Sequence, residues 1–330
     1  MTTLVTGASG FVGSALVRHL LQTGHQERVL LRASSPHDNI SDLPVEIVSG
    51  DLTDMPSLQR AVSGCSSLFH AAADYRLWTR NPDAMYRANV DGSRNIMLAA
   101  AEAGVSRIVY TSSVATLGHH DDDTPADEST PSRLEDMIGH YKRSKFLAEA
   151  AVRQLVSEQG LPAVIVNPAG PIGPRDIKPT PTGQMVLDTM LGRMPGYINT
   201  GLNIVHVDDV AEGHMLAFDR GIAGERYILG GKNLPLKEIL TRVAELSGRK
   251  PPRIRMPYYG VLPLAWLSEV VASITGADQP LIAVDGVRMT RKHMYFSSDK
   301  ARLELGYAPR PAQEALEDAV LWFRQHGYCK

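Results

Sequence analysis

Tyr141 and Lys145 stand four residues apart in the run Tyr-Lys-Arg-Ser-Lys. On a helix that spacing puts both side chains on one face. A phenol with its ordinary pKa of about 10 is a poor acid–base group near neutrality. A neighbouring ammonium favours the phenolate and lowers that value. The pair is therefore a candidate proton donor with its support. Ser113, in Thr111-Ser112-Ser113, supplies a hydroxyl that can hold a reacting carbonyl or alcohol in place, and Ser112 is its rival. Asn89 is a fourth catalytic candidate, because it lies mid-helix where asparagine has no helical advantage.

A second constellation opens the chain. Thr6-Gly7-Ala8-Ser9-Gly10-Phe11-Val12-Gly13 joins an apolar strand to a helix, with glycines spaced G-x-x-G-x-x-G. Gly7 permits the tight turn, Gly10 lets backbone approach a pyrophosphate, and Gly13 lets helix and strand pack closely. Ser9, Phe11 and Val12 complete the loop and present the helix N-terminus to the phosphates. This is a dinucleotide site. The next strand ends in Leu31-Arg32-Ala33, with no acid before Asp38. A ribose 2′-hydroxyl calls for an acid there and a 2′-phosphate for a cation, so Arg32 predicts NADP, with NAD as the alternative. Asp51 and Leu52 are placed to meet the adenine, and Ala71, Ala72 and Ala73 are small enough for backbone to skirt the cofactor. Tyr141 and Lys145 then fall beside the nicotinamide, where the lysine can also hold its ribose.

The elements that must position these residues alternate. Strands are expected at residues 4–6, 28–31, 45–49, 67–70, 107–111 and 163–166, with helices at 11–23, 55–62, 83–103 and 138–156. Such alternation predicts an α/β, Rossmann-type doubly wound parallel sheet. After Pro168 the texture changes to a proline- and glycine-rich loop, followed by an element at 185–191, a strand at 203–207 and helices at 208–220, 236–247 and 311–326. Residues 1–170 are read as the dinucleotide-binding domain, with 200–220 returning to it. Residues 171–199 and 221–330 are read as a smaller, interleaved C-terminal substrate-binding domain.

Composition narrows the function classes. The 330 residues carry 34 basic and 36 acidic side chains, a net charge of −2, which argues against a nucleic-acid partner. An apolar fraction of 43% is ordinary for a folded globule. Two cysteines, Cys65 and Cys329, make neither a disulfide framework nor a zinc site. The run His119-His120-Asp121-Asp122-Asp123 reads as a solvated loop, and no metal is expected. The chain opens on a folding motif rather than a leader, so a cytoplasmic location is expected. Tyr258–Thr275 is strongly apolar but interrupted by Pro263 and Glu269. It reads first as a helix packed on the smaller domain, and second as a surface for a lipid-like substrate or a peripheral membrane contact.

Taken together, the motifs resemble the extended short-chain dehydrogenase/reductase superfamily, the NAD-dependent epimerase/dehydratase family. The resemblance covers most of the chain: the glycine loop, Gly50–Leu52, His70–Ala73, Asn89–Asn95, Tyr110–Ser113, Tyr141–Lys145 and Asn167-Pro168. The stretches 73–78, 112–118, 139–149 and 173–183 are most similar to hopanoid-associated sugar epimerases and dihydroflavonol reductase-like proteins. The resemblance implies a Ser113/Tyr141/Lys145 triad, places Pro168 at the cofactor, and implies a homodimer through residues 83–103 and 138–156.

Two departures from family patterns bear on the reaction. Sugar 4,6-dehydratases of the superfamily carry an Asp-Glu pair beside the catalytic hydroxyl, where this chain has Val114 and Ala115. Nucleotide-sugar members carry Arg-Asp upstream of the Asp208-Asp209 pair, where this chain has Leu202 and Asn203. Arg175, Lys178, Arg193 and Arg291 remain candidates for a substrate anion. The expected activity is NADP-dependent reduction of a ketone or aldehyde on a small-molecule or lipid-linked, hopanoid-related substrate. Alternatives are sugar epimerisation with a recycled cofactor and, further off, dinucleotide binding without turnover.

Overall fold

The computed structural model describes residues 2–120 and 122–329. Seven strands form one all-parallel sheet: β1 (Thr2–Thr6), β2 (Gln26–Leu31), β3 (Glu46–Ser49), β4 (Cys65–His70), β5 (Arg107–Thr111), β6 (Ala163–Pro168) and β10 (Arg226–Leu229). Their spatial order is β10-β6-β5-β4-β1-β2-β3. The strand order therefore reverses between β1 and β4, which opens a ligand crevice at their carboxyl ends.

Helices cover both faces, as a parallel sheet requires. On one face α1 (Phe11–Gln22) packs against α7 (Val207–Arg220), burying Leu16, Leu20, Val210 and Ala211. On the other lie α2 (Met55–Val62), α3 (Pro82–Tyr86), α4 (Gly92–Glu102) and α5 (Gly139–Gln159), burying Leu58, Ile96, Ala148 and Val152. A third layer surrounds a three-stranded sheet of β7 (Gly170–Ile172), β9 (Gly201–His206) and β11 (Lys232–Pro235). There α6 (Pro181–Met190), α8 (Leu236–Leu246) and α11 (Ala312–Gln325) share a core around Ile204, Ile239 and Phe323. Two short strands, β8 (Gly196–Tyr197) and β12 (Ile254–Arg255), pair beside α9 (Tyr258–Thr275) and α10 (Val284–Met289).

Three features differ from the sequence reading. The helix expected over 83–103 is interrupted, because residues Arg87–Asp91 form a π turn between α3 and α4. Such turns are rare and often lie at functional sites, and here Asn89 is buried within the turn and bonds the backbone of Asp74. The seventh strand, β10, was not expected at all, and it falls in the segment assigned to the substrate domain. Its four residues give too short a pattern to stand out, yet Tyr227, Ile228 and Leu229 are fully buried beside β6. Conversely β9, expected to return to the main sheet, joins the smaller one, and only α7 returns.

Candidate active site

The glycine loop is shaped by contacts as much as by flexibility. Gly7 has φ +74°, and a Cβ there would lie 2.6 Å from the Ala72 amide nitrogen. A Cβ on Gly13 would lie 2.0 Å from the Gly7 carbonyl oxygen. The loop is thus folded onto itself and onto the segment after β4, where Ala71 donates to the Thr6 carbonyl at 3.2 Å. Gly10 ends the turn, and α1 starts at Phe11 with no side-chain cap, leaving its first amides to an anion. Phe11 is buried as an anchor, Val12 is half-buried, and the Ser9 carbonyl accepts from Asn39 at 3.2 Å.

Beyond β2 and β3 a cavity of about 300 Å³ is lined by Arg32, Ala33, Gly50, Asp51, Asp54 and Arg60, among others. Arg60 was missed in the sequence because it sits on α2, outside the strand end where a cation is sought. Asp51 spends its carboxylate on the Thr53 amide and hydroxyl, at 2.8 and 2.6 Å. Those bonds, with a smaller contribution from Arg32, hold its pKa below the usual carboxylate value. Leu52 packs against Gly92, and its carbonyl accepts from Asn95 at 3.0 Å. A glycine cradle and an uncapped helix N-terminus fit the pyrophosphate of a nicotinamide dinucleotide, and Arg32 and Arg60 line the neighbouring cavity.

Ser113, Tyr141 and Lys145 are carried by the end of β5 and by α5. Lys145 is buried, donates to the Thr111 carbonyl at 2.9 Å, and lies 5.2 Å from the Tyr110 ring centroid. Burial lowers its pKa to about 8, with Glu149 acting in the opposite direction. Tyr141 differs from expectation. Burial holds its phenol above the ordinary value, and the Ser113 hydroxyl, rather than the lysine, works to lower it. The Lys145 ammonium is held against the end of β5 by the Thr111 carbonyl.

The two serines separate cleanly. Ser112 is buried and donates to Glu149 at 2.5 Å, so it is committed to structure. Ser113 is half-exposed, accepts from the Ala115 amide at 3.1 Å, and faces Tyr141. Asn89 is corrected from a catalytic to a positioning place. Its amide oxygen accepts from the Asp74 amide at 2.7 Å, and its nitrogen donates to the Asp74 carbonyl and to Ser144, each at 2.9 Å. Both its N–H donors are spent on these bonds, which tie the segment after β4 to α5. Pro168 is buried at the end of β6, and Asn167 beside it donates to the Ser113 carbonyl at 3.0 Å and to Glu149 at 2.9 Å.

Glu149, like Arg60, was missed in the sequence. Its buried carboxylate accepts from Ser112, Thr116 and Asn167 and pairs with Arg226 at 3.3 Å. It locks β5, β6, β10 and α5 together beside Ser113 and Lys145. The loops after β4 and after β7 meet where Tyr75 donates to the Lys178 carbonyl at 3.3 Å. Arg175 is withdrawn as an anion site, since it pairs with Asp208. Arg193 is exposed near Asp188, and Arg291 lies over the Tyr258 ring.

The supposed solvated loop is also corrected in part. His120 and Asp122 are exposed, but the His119 ring is half-buried against Phe296, and its pKa is lowered to about 3 by burial. Asp121 lies outside the described residues.

The fold and the nucleotide cradle define a Rossmann-type, NAD(P)-linked enzyme of the extended short-chain class. Residues 3–230 match the NAD dependent epimerase/dehydratase family, and the chain belongs to it. It is 48% identical, over 99% of its length and 95% of the relative's, to a Synechocystis protein provisionally named dihydroflavonol 4-reductase. It is 34% identical to sterol demethylase protein B of Methylococcus capsulatus, over 99% of each chain. The crystal structure of gox2253 superposes with a TM-score of 0.90 at 54% identity, covering 100% of this chain and 99% of that one.

Proposed function

We propose that the protein reduces a ketone or aldehyde of a sugar- or lipid-linked substrate, with NADPH as reductant. One observation carries the reading. Ser113, Tyr141 and Lys145 converge at the carboxyl end of β5, and the two residues that follow Ser113, Val114 and Ala115, are buried and apolar rather than an acid–base pair. The cofactor, when bound, supplies the hydride. Ser113 orients the substrate oxygen, Tyr141 gives it a proton, and Lys145 holds a positive charge behind the phenol. Glu149 and Asn89 keep these groups in register without touching substrate.

Arg32 and Arg60 lining one cavity support NADP over NAD. The relative named as a dihydroflavonol 4-reductase favours a reductive reading, and the one named sterol demethylase protein B, with the hopanoid resemblance, favours an apolar substrate. The family match favours a second reading, sugar epimerisation, in which hydride leaves and returns on opposite faces. Identifying the nucleotide carried by freshly purified protein separates the two. An empty site that prefers NADPH to NADH supports the reductase, and near-stoichiometric bound NAD⁺ supports the epimerase.

A further inference from the structure

The helix α9 turns its apolar side outward. Val261 and Ala265 pack with Val284 and Val287 of α10, and Ala272 is the other buried residue. Tyr259, Pro263, Leu267, Val270 and Ile274 follow a helical repeat on the opposite face. Tyr259 and Ile274 are each 80% exposed, and Leu267 is 61% exposed. Just past the helix, Leu281 is 98% exposed. A contiguous row of large apolar side chains in water marks a contact surface rather than leftover core. Among the described residues, no helix is long and apolar enough to cross a membrane.

Charge identifies the occupant. Residues 249–292 hold seven lysines and arginines against three acids, in a chain whose net charge is −2. Arg253 and Arg255 stand exposed just before α9. Arg288 lies over the Trp266 ring and Arg291 over Tyr258, while Arg80 donates to the carbonyls of Ala272 and Ala277. Of the three acids, Glu269 is turned onto the Val284 amide and Asp285 pairs with Arg288, leaving Asp278. An apolar row edged by tryptophan, tyrosine and arginine matches the boundary between acyl chains and anionic headgroups. A second copy of the chain would instead bring two cationic segments together.

We infer that α9 seats the protein on an anionic lipid surface, with its outward row in the acyl boundary and the surrounding arginines at the phosphates. The position bears on catalysis. Asp285 of α10 lies against Gly139, two residues before Tyr141, and Leu77 lies beside Gly286. Docking through α9 therefore holds the start of the catalytic helix close to the bilayer, where an apolar substrate reaches it without crossing water. The docking stands independently of whether the reaction is reduction or epimerisation.

Flotation with phosphatidylcholine vesicles, with and without phosphatidylglycerol, tests this. The full-length protein is expected to float with the mixed vesicles and to be released by high salt. Leu267→Asp/Ile274→Asp should abolish flotation while turnover of a water-soluble carbonyl compound stays unchanged. Arg253→Ser/Arg255→Ser should weaken binding more than about tenfold, and it carries the test alone if the first variant fails to fold. The inference is overturned if wild-type protein stays unbound, if neutral vesicles bind it equally, or if both double variants float like wild type. It is also overturned if light scattering shows a dimer that Leu267→Asp/Ile274→Asp splits while vesicles are ignored.

Discussion

Glu149 lies one helical turn beyond Lys145 on α5, and its buried carboxylate supports the lysine's charge while accepting a 2.5 Å hydrogen bond from Ser112. Glu149→Ala would leave Ser112, Thr116, Asn167 and Arg226 without their shared acceptor. Breaking one partner of a buried charged network costs about 3–5 kcal/mol. A lowered melting temperature, with a smaller loss for Glu149→Gln, is the expected result. The Gln variant should also shift the alkaline limb of activity to lower pH, since the Lys145 pKa is no longer raised.

That alkaline limb follows from Lys145 itself. With a pKa near 8, the lysine is charged below that pH and loses its proton above it. Turnover should fall as pH rises through about 8, in a profile of kcat against pH. Tyr141→Phe should lose at least about a hundredfold in kcat while fluorescence titration still registers cofactor binding.

Arg32 is exposed at the mouth of the cavity it shares with Arg60. Arg32→Asp should reverse the cofactor preference. NADPH should lose at least about tenfold in kcat/KM, the effect of about 1.4 kcal/mol, and NADH should gain. Parallel kinetics with the two coenzymes read this directly, and an unchanged ratio would remove Arg32 from the site.

Glu27 on β2 is buried, and both its carboxylate oxygens lack partners among the described residues. Burial raises its pKa from 4.5 to about 8. Between those values the folded protein holds a proton that the unfolded chain has released, so this group makes stability fall as pH rises through that window. Glu27→Gln should therefore raise the melting temperature near pH 8.5 by several degrees and leave it nearly unchanged near pH 4.5.

What the sequence made legible was local. The glycine loop and the Tyr141/Lys145 pair are each defined within a few residues, so spacing alone places them on a turn and on one helix face. Ser113 against Ser112 was not decidable, because the choice depends on Glu149, 37 residues beyond Ser112. Arg226 reaches Glu149 across 77 residues, and nothing local to the stretch ending at Glu149 points to that partner. Asn89 drew attention as a misfit in a helix, but its partner Asp74 lies in a loop, and only the π turn explains the misfit as a clamp. The apolar run 258–275 was legible as a helix, whereas the direction in which it faces depends on how little of α10 is available to cover it.

The position of β10 has a consequence for synthesis on the ribosome. When residues up to about 220 have emerged, β6 is still the open edge of a six-stranded sheet, and the Glu149 carboxylate still lacks Arg226. The first two-thirds of the chain thus cannot complete its own nucleotide-binding half. An emerging sheet with a bare apolar edge is prone to pair with another chain. Premature termination between β6 and Arg226 should therefore yield aggregates rather than a free-standing nucleotide-binding fragment, even though the glycine loop, Ser113, Tyr141 and Lys145 have already been made.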